Sequence, residues 1–309
     1  MKWILGGLAA LIALCAGLFW WLLVGFSAAP ASATGVFDIS DWRRRIADTP
    51  GPRPTAINVL EIGRDTMPGF AAVAGNFDSR WIASYNSVQV VYPDRTLVIG
   101  GAVDQATAED MKQDEADWAF DEDAYRQLTV AMLSADQVLM THEHLDHVMA
   151  IARHPDPDAL APRLVLNAPQ VAALPAFAGG VLAPSLKRLQ PRLTDGPQMV
   201  APGVLVVPAP GHTPGSQVVF ITLQDGTEYL LIGDIVWSME AIRQLKTRPV
   251  LTQFVVFDPN ENRDAIRTQV RALHDLMAAN PDIIVFPSHD RVWLQQLVDD
   301  GKIGWGFSD

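Results

Sequence analysis

Between residues 141 and 147 the chain reads Thr141-His142-Glu143-His144-Leu145-Asp146-His147, which sets three imidazoles and a carboxylate on one tight segment. An apolar run, Val138-Leu139-Met140, leads straight into it, so the spacing predicts a strand that ends where the cluster begins. Imidazoles at positions n, n+2 and n+5, with a carboxylate at n+4, supply four hard-to-borderline donors within a strand-to-helix turn. That donor set suits zinc. Chance clustering of surface histidines is the bland alternative, with Asp146 then serving only as a helix cap. Three further segments argue against it: Gly211-His212-Thr213-Pro214-Gly215-Ser216, Gly233-Asp234 and Ser288-His289-Asp290. Each is predicted to follow an apolar strand. A carboxylate at a position like Asp234, with no cation beside it in sequence, needs a metal or a basic partner once buried.

The rest of the chain supplies alternating strands and helices. Residues 56–63, 82–92 and 96–99 read as strands, the last two as a hairpin through Pro93-Asp94-Arg95. Residues 121–133 read as a helix, with Tyr125, Leu128 and Met132 at helical spacing. Further strands are predicted at 163–166, 204–208, 217–223, 228–233 and 283–286. The clearest helix runs over 262–279, where Ile266, Val270, Leu273 and Met277 share a face. Residues 105–118 read as a surface loop or frayed helix, and 169–190 is broken by proline. This is a mixed α/β plan with helices covering sheets.

The full constellation resembles the metallo-β-lactamase superfamily, whose signature is H-x-H-x-D-H followed by a later His, Asp and His. All seven positions are filled here in that order, and the resemblance extends over about residues 54–300. It implies a four-layered αβ/βα sandwich with a metal site at one edge of two facing sheets. By resemblance, His142, His144 and His212 are ligands of a first metal, Asp146, His147 and His289 of a second, and Asp234 bridges the two. It implies two divalent cations, with zinc favoured and iron or manganese open, and hydrolysis by a water activated between them. Asp146 would also orient that water and relay its proton. One departure is that Ile99, in Val98-Ile99-Gly100-Gly101, stands where the superfamily often has a supporting Asp. Glu143 reads as solvated or salt-bridged, His154 as a surface or capping residue, and His274 as helix packing.

The pattern is nearest to the lactonase-like branch. The 22-residue spacing from His212 to Asp234 and the Phe257-Asp258-Pro259 turn are shared with it. Such lactonases often carry a tyrosine three residues after the bridging Asp, as a donor to the substrate carbonyl. Here that position is Trp237, which is read as a catalytic donor through its indole N–H, with core packing as the alternative. The expected reaction is hydrolysis of a lactone or other carboxylic ester. Phosphodiester and thioester hydrolysis on the same site remain as alternatives. β-Lactam hydrolysis ranks lower because zinc β-lactamases lack the bridging Asp, and iron-dependent redox chemistry and non-catalytic metal binding also rank lower. The short stretch after His289 has no room for the helical C-terminal domain that glyoxalase II adds. The substrate is expected to be a small molecule with a hydrolysable carbonyl or phosphoryl group.

Net charge is −12, and no basic cluster marks a groove for a phosphate backbone, so nucleic acid is not an expected partner. The oligomeric state is open. The one cysteine, Cys15, excludes an intramolecular disulfide. It lies in Trp3–Phe26, a run without a charged residue that is long enough for a helix to cross a bilayer. This run reads as a transmembrane or signal-anchor segment (residues 3–26), with a cleavable signal peptide ending near Ala31-Ser32-Ala33 as the alternative. Lys2 favours an N-terminus inside, and Arg43, Arg44 and Arg45 pull the other way. The expected order is a segment at 3–26, a linker and lead-in region at 27–53, a catalytic domain at 54–303 and a tail at 304–309. That places the catalytic domain on the periplasmic side of the membrane, or secreted if the segment is cleaved.

Overall fold

A computed structural model describes residues 2–77, 80–112, 117–255 and 261–308. Eleven strands are formed among them: β1 (Ala56–Pro68), β2 (Arg80–Val91), β3 (Thr96–Ile99), β4 (Ala119–Phe120), β5 (Gln137–Leu139), β6 (Gln198–Ala201), β7 (Val204–Pro208), β8 (Gln217–Thr222), β9 (Glu228–Leu231), β10 (Ile284–Phe286) and β11 (Gly304–Trp305). They make two sheets. The first runs β11-β1-β2-β3-β5 with β4 beside β1, and the second runs β10-β9-β8-β7-β6. Antiparallel hairpins build most of each sheet, while β3–β5 and β9–β10 are parallel and are joined through helices.

Side-chain alternation divides the strands between layers. In β7 and β8, Val204, Val206, Val219 and Ile221 face Val59, Val90, Leu97 and Leu139 of the first sheet in one apolar core. Their neighbours Leu205, Val207, Val218 and Phe220 point outward and pack beneath Ile266, Val270 and Leu273 of the helix Arg263–Ala279. On the far side, Ile62, Val98, Val138 and Met140 are covered by Leu128 and Met132 of the helix Glu122–Ser134 and by Val148 and Ile151 of the helix Leu145–Ala152. The order is helix, sheet, sheet, helix, as the resemblance implies.

Several expectations shift. Residues 163–166 contribute only an isolated bridge, Val138 to Leu164, because Pro162 and the turn before it leave too little extended chain. Part of the proline-broken stretch is helical, at Ala168–Phe177, where Asn167 and Gln170 form a capping box. In residues 105–118 the helical alternative holds for 105–111, which form a helix capped by Asp104. The lead-in region is not loose: Ile39–Ala47 is a helix, and its Trp42 and Ile46 are buried one turn apart against Phe220. The tail also folds in, with Phe307 buried over the first sheet. Ile99 is a core residue.

The helix Lys2–Leu23 is long and apolar enough to cross a membrane by length and composition. Its end is tied to the domain. Gly75 N donates to Leu23 O at 3.0 Å, Thr247 N to Ser27 O at 2.9 Å and Ala29 N to Leu245 O at 2.8 Å.

Candidate metal centre

Strand β5 ends at Leu139, and Met140-Thr141 delivers His142 to the seam between the sheets. His144 occupies the N-cap of Leu145–Ala152, so Asp146 lies in the first helical turn and His147 one residue further in. The second sheet brings the other donors: His212 in the turn between β7 and β8, Asp234 just past β9 and His289 just past β10. All lie at C-terminal strand edges, where the sequence pattern puts them.

The two edges are stitched together by hydrogen bonds. Gln217 N donates to Thr141 O at 2.9 Å, and Gln217 Nε2 to Met140 O at 2.6 Å. Ser84 N, on β2, donates to His289 O at 3.1 Å, and Asn86 Nδ2 to Ser288 O at 2.8 Å. Two close approaches need glycine. A Cβ on Gly101 would run into His147 O, which accepts from Gly101 N, and a Cβ on Gly215 would run into the Glu143 carboxylate. That carboxylate is buried, accepting from Gly215 N at 2.8 Å and from Thr213 Oγ1 at 2.7 Å. Glu143 is therefore neither solvated nor salt-bridged; it fastens the turn carrying His212 to the turn carrying His142.

Ligand-type atoms gather in two groups: His142, His144 and His212, and Asp146, His147, Asp234 and His289. Asp234 faces both groups. Its Oδ2 is 3.7 Å from His142 Nε2, 3.6 Å from His212 Nε2 and 3.1 Å from His289 Nε2, and its Oδ1 is 3.4 Å from His147 Nε2. Asp146 Oδ2 is 3.3 Å from His289 Nε2. His142 Nε2 and Asp234 Oδ1 are buried without a hydrogen-bond partner among the described residues. Buried polar atoms are rarely left so, and a cation between the groups would satisfy them. The all-N/O donor set fits divalent zinc, iron or manganese.

Burial, reinforced by neighbouring imidazoles, holds His142 and His144 well below the ordinary imidazole range, keeping a lone pair for a cation. Burial works against charge on His289 too, but the carboxylates of Asp234 and Asp146 outweigh it and raise the group to about 9. Burial would raise Asp234, yet His289, His142 and His147 hold it well below the usual carboxylate range.

A supporting set lies behind the donors. His212 Nδ1–H donates to Glu261 Oε1 at 2.9 Å, leaving Nε2 directed at the cluster. Glu261 is paired with the buried Arg248, whose Nη1 donates to Asp234 O at 2.8 Å. Burial would raise Glu261, but Arg248 and His212 bring it down to about 2. Trp237 Nε1 donates to Asp234 Oδ2 at 2.8 Å, and its ring lies flat on Trp81, 5.6 Å between centroids and 2° between planes. That N–H is thus engaged by the carboxylate rather than directed at a substrate. Tyr85 sits edge-on to His289, its phenol pushed above its ordinary value by burial and by Asp146.

Arg248, Glu261, Trp81 and Tyr85 were not among the expected site residues. Glu261 is a lone acid just before the N-cap of the clearest helix, and Arg248 precedes a proline in an apolar stretch; neither pattern has ligand spacing. His154, read as a surface or capping residue, is buried and accepts Asp156 N at Nδ1, 3.0 Å away. His274 is half-buried beside Asp275. The Phe257-Asp258-Pro259 turn lies outside the described residues.

The sequence model of the metallo-beta-lactamase superfamily matches residues 84–289. No curated protein matches in sequence. Among solved structures, the fold is similar to an N-acyl homoserine lactone hydrolase with the product N-hexanoyl-L-homoserine at its catalytic metal centre, at 13% identity and TM-score 0.58, over 79% of this chain and 96% of that one. It is also similar to a B. thuringiensis AiiA variant with N-decanoyl-L-homoserine at its active site, at 14% identity and TM-score 0.56, over 79% and 96%. A quorum-quenching N-acyl homoserine lactone lactonase gives 14% identity and TM-score 0.55, over 79% and 95%. At such identities the likeness is one of fold.

Proposed function

The chain belongs to the metallo-β-lactamase superfamily, and from that premise we propose that it is a membrane-anchored, metal-dependent hydrolase of a lactone or other carboxylic ester. The observation that carries this reading is the pair of donor groups shared by Asp234, which reaches His142 and His212 with one oxygen and His147 with the other. In this reading His142, His144 and His212 would hold one cation and Asp146, His147 and His289 the other, with Asp234 shared between the two sets, and zinc is the favoured metal. A cation pair held there supplies an acidified water and a Lewis acid for the carbonyl oxygen.

The chain's own residues do the rest. Asp146, the more exposed of the two carboxylates, takes the proton of the attacking water and returns it to the leaving alkoxide. Glu261 fixes the tautomer of His212, and Arg248 keeps Glu261 ionised. Trp237 acts as a positioning residue, orienting Asp234 Oδ2 from one side while Trp81 and the Arg248 guanidinium hold its ring. The N-acyl-L-homoserines bound in the structural neighbours, one of them named as the product of an N-acyl homoserine lactone hydrolase, support the ester assignment. The acidic chain as a whole disfavours a polyanionic substrate.

The length and composition of the helix Lys2–Leu23 support an anchor, with a cleaved signal segment as the alternative, and Lys2 at its start favours the catalytic domain lying outside the cytoplasmic membrane. The test is a panel of lactones, aryl esters, thioesters, β-lactams and phosphodiesters given to the full-length protein with and without chelator. Chelator-sensitive turnover that is fastest on a lactone or ester supports the proposal. A phosphodiester hydrolysed faster than every carbonyl substrate would reject the ester assignment and leave a metallo-hydrolase.

A further inference from the structure

Where the helix Lys2–Leu23 meets the domain, exposed apolar side chains of two domain segments flank its last turns on different sides. Phe19 stacks on Phe77 at 5.4 Å, and Trp21 lies 6.1 Å from Phe254. Phe77 is 47% exposed, Phe254 64% and Val255 71%. Phe77 follows the short helix Gly69–Ala72, and Phe254 and Val255 end the helical turn Leu251–Val255. The backbone bonds from Leu23 to Gly75 and from Ser27 to Thr247 fix both segments to the foot of the apolar helix. Large exposed aromatics flanking the end of one apolar helix are unusual on a water-facing surface. At the foot of a bilayer-spanning helix they are what an interface selects.

The same segment reaches the donor cluster. Gln253, next to Phe254, donates from Nε2 to Glu261 O at 3.1 Å, and the Glu261 carboxylate holds His212. The segment starts at Arg248, which pairs with Glu261 and donates to Asp234 O. Its base is therefore pinned directly behind the candidate metal centre, and its tip carries the exposed Phe254 and Val255.

We propose that the face bearing Phe77, Phe254 and Val255 sits in the interfacial layer of the bilayer entered by Lys2–Leu23, and that the substrate is an amphiphile whose acyl chain is drawn from that bilayer. This deepens the hydrolase and anchor reading and rests on it. Continuity with the apolar helix decides for lipid over a second copy of the chain, because a partner protein would have to share this face with the membrane the helix occupies.

The test uses the full chain, with retention of the N-terminal helix checked by mass, reconstituted in phosphatidylcholine vesicles. Cys15→Ala removes the native thiol, and single cysteines carry a bimane probe at Phe77→Cys, Phe254→Cys or, as control, Val130→Cys on the helix Glu122–Ser134, where the native side chain is 65% exposed. Brominated acyl chains should quench the probes at 77 and 254 and spare the one at 130. Equal quenching at all three positions, or shielding of the 254 probe by a second copy at a cross-linkable contact, overturns the docking. This readout needs no turnover, so it fails separately from the hydrolase reading.

For the substrate, the double variant Phe254→Asp, Val255→Asp should raise KM for a long-chain ester presented in vesicles by roughly tenfold. It should leave hydrolysis of a short, water-soluble ester unchanged. A KM that is unmoved for the vesicle substrate, or raised equally for both, overturns the amphiphile assignment.

Discussion

Replacing Glu261 by Gln keeps the shape of the side chain behind His212 but removes the charge that fixes its tautomer and balances Arg248. Metal affinity should fall by roughly 10–100-fold, as is usual for partners of ligating histidines, and competition with a chelator measures it. Stability to urea should fall as well, because a buried cation loses its counter-charge. Trp237→Phe keeps a ring on Trp81 and removes the N–H held by Asp234 Oδ2. A hydrogen bond to a charged group is worth about 1.5–3 kcal/mol, so kcat/KM should drop about tenfold or more, while Trp237→Tyr, which restores a donor, should lose less. Equal values for the two variants, with metal content unchanged, would make Trp237 a packing residue alone. The seven donors could be picked out in the sequence because His and Asp at strand ends are sparse and chemically distinctive. Glu143 could not: its partner Gly215 lies 72 positions away, and nothing local reveals that the carboxylate is buried.

Among the elements, the turns carrying His142 and His212 depend on one tight contact. Gly215→Ala would drive a methyl group into the Glu143 carboxylate and the Asn167 side chain. Overpacking of this kind costs typically 1–3 kcal/mol, so a lowered Tm should come together with fewer bound metal ions per chain. The helix Gln105–Met111 offers a pH test. Burial would raise its cap, Asp104, but Thr107 and Arg153 hold the carboxyl below its ordinary value. The stability it lends is thus fully present above the unfolded value of about 3.9 and is lost as pH falls through the lower folded value. The stability gap between the native chain and Asp104→Asn, followed by urea titration, should close on acidification and stay constant from about pH 6 to 8. Most strands could be read because an apolar run framed by Gly, Pro or Asp has one plausible use. The helix Ile39–Ala47 has little sequence signal because Arg43, Arg44 and Arg45 dominate it, and only two residues, Trp42 and Ile46, carry its buried face.

For the molecule as a whole, the two donor groups predict close to two metal ions per chain by elemental analysis after supplementation. Under about 0.5 per chain would reject the site. The layered plan was readable because helix and strand signals alternate. The packing of residues 27–47 onto the domain was not, since small residues and proline look the same in a linker and in an edge that pairs with Lys246. The stitching of the two sheets also bears on how the chain folds. His147 and His289 are separated by 142 positions, yet their Nε2 atoms stand 3.2 Å apart. Closing a loop of that length costs an unstructured chain ~4 kcal/mol in configurational entropy, and no fragment of either half can hold both ends of it. Four donors lie on the single segment 142–147, but the complete set also needs His212, Asp234 and His289, so full capture of the cations is expected only after the halves have docked, as a latch on the finished tertiary arrangement. During refolding, uptake of the cations should follow the slowest phase of tryptophan burial and lag behind helix formation.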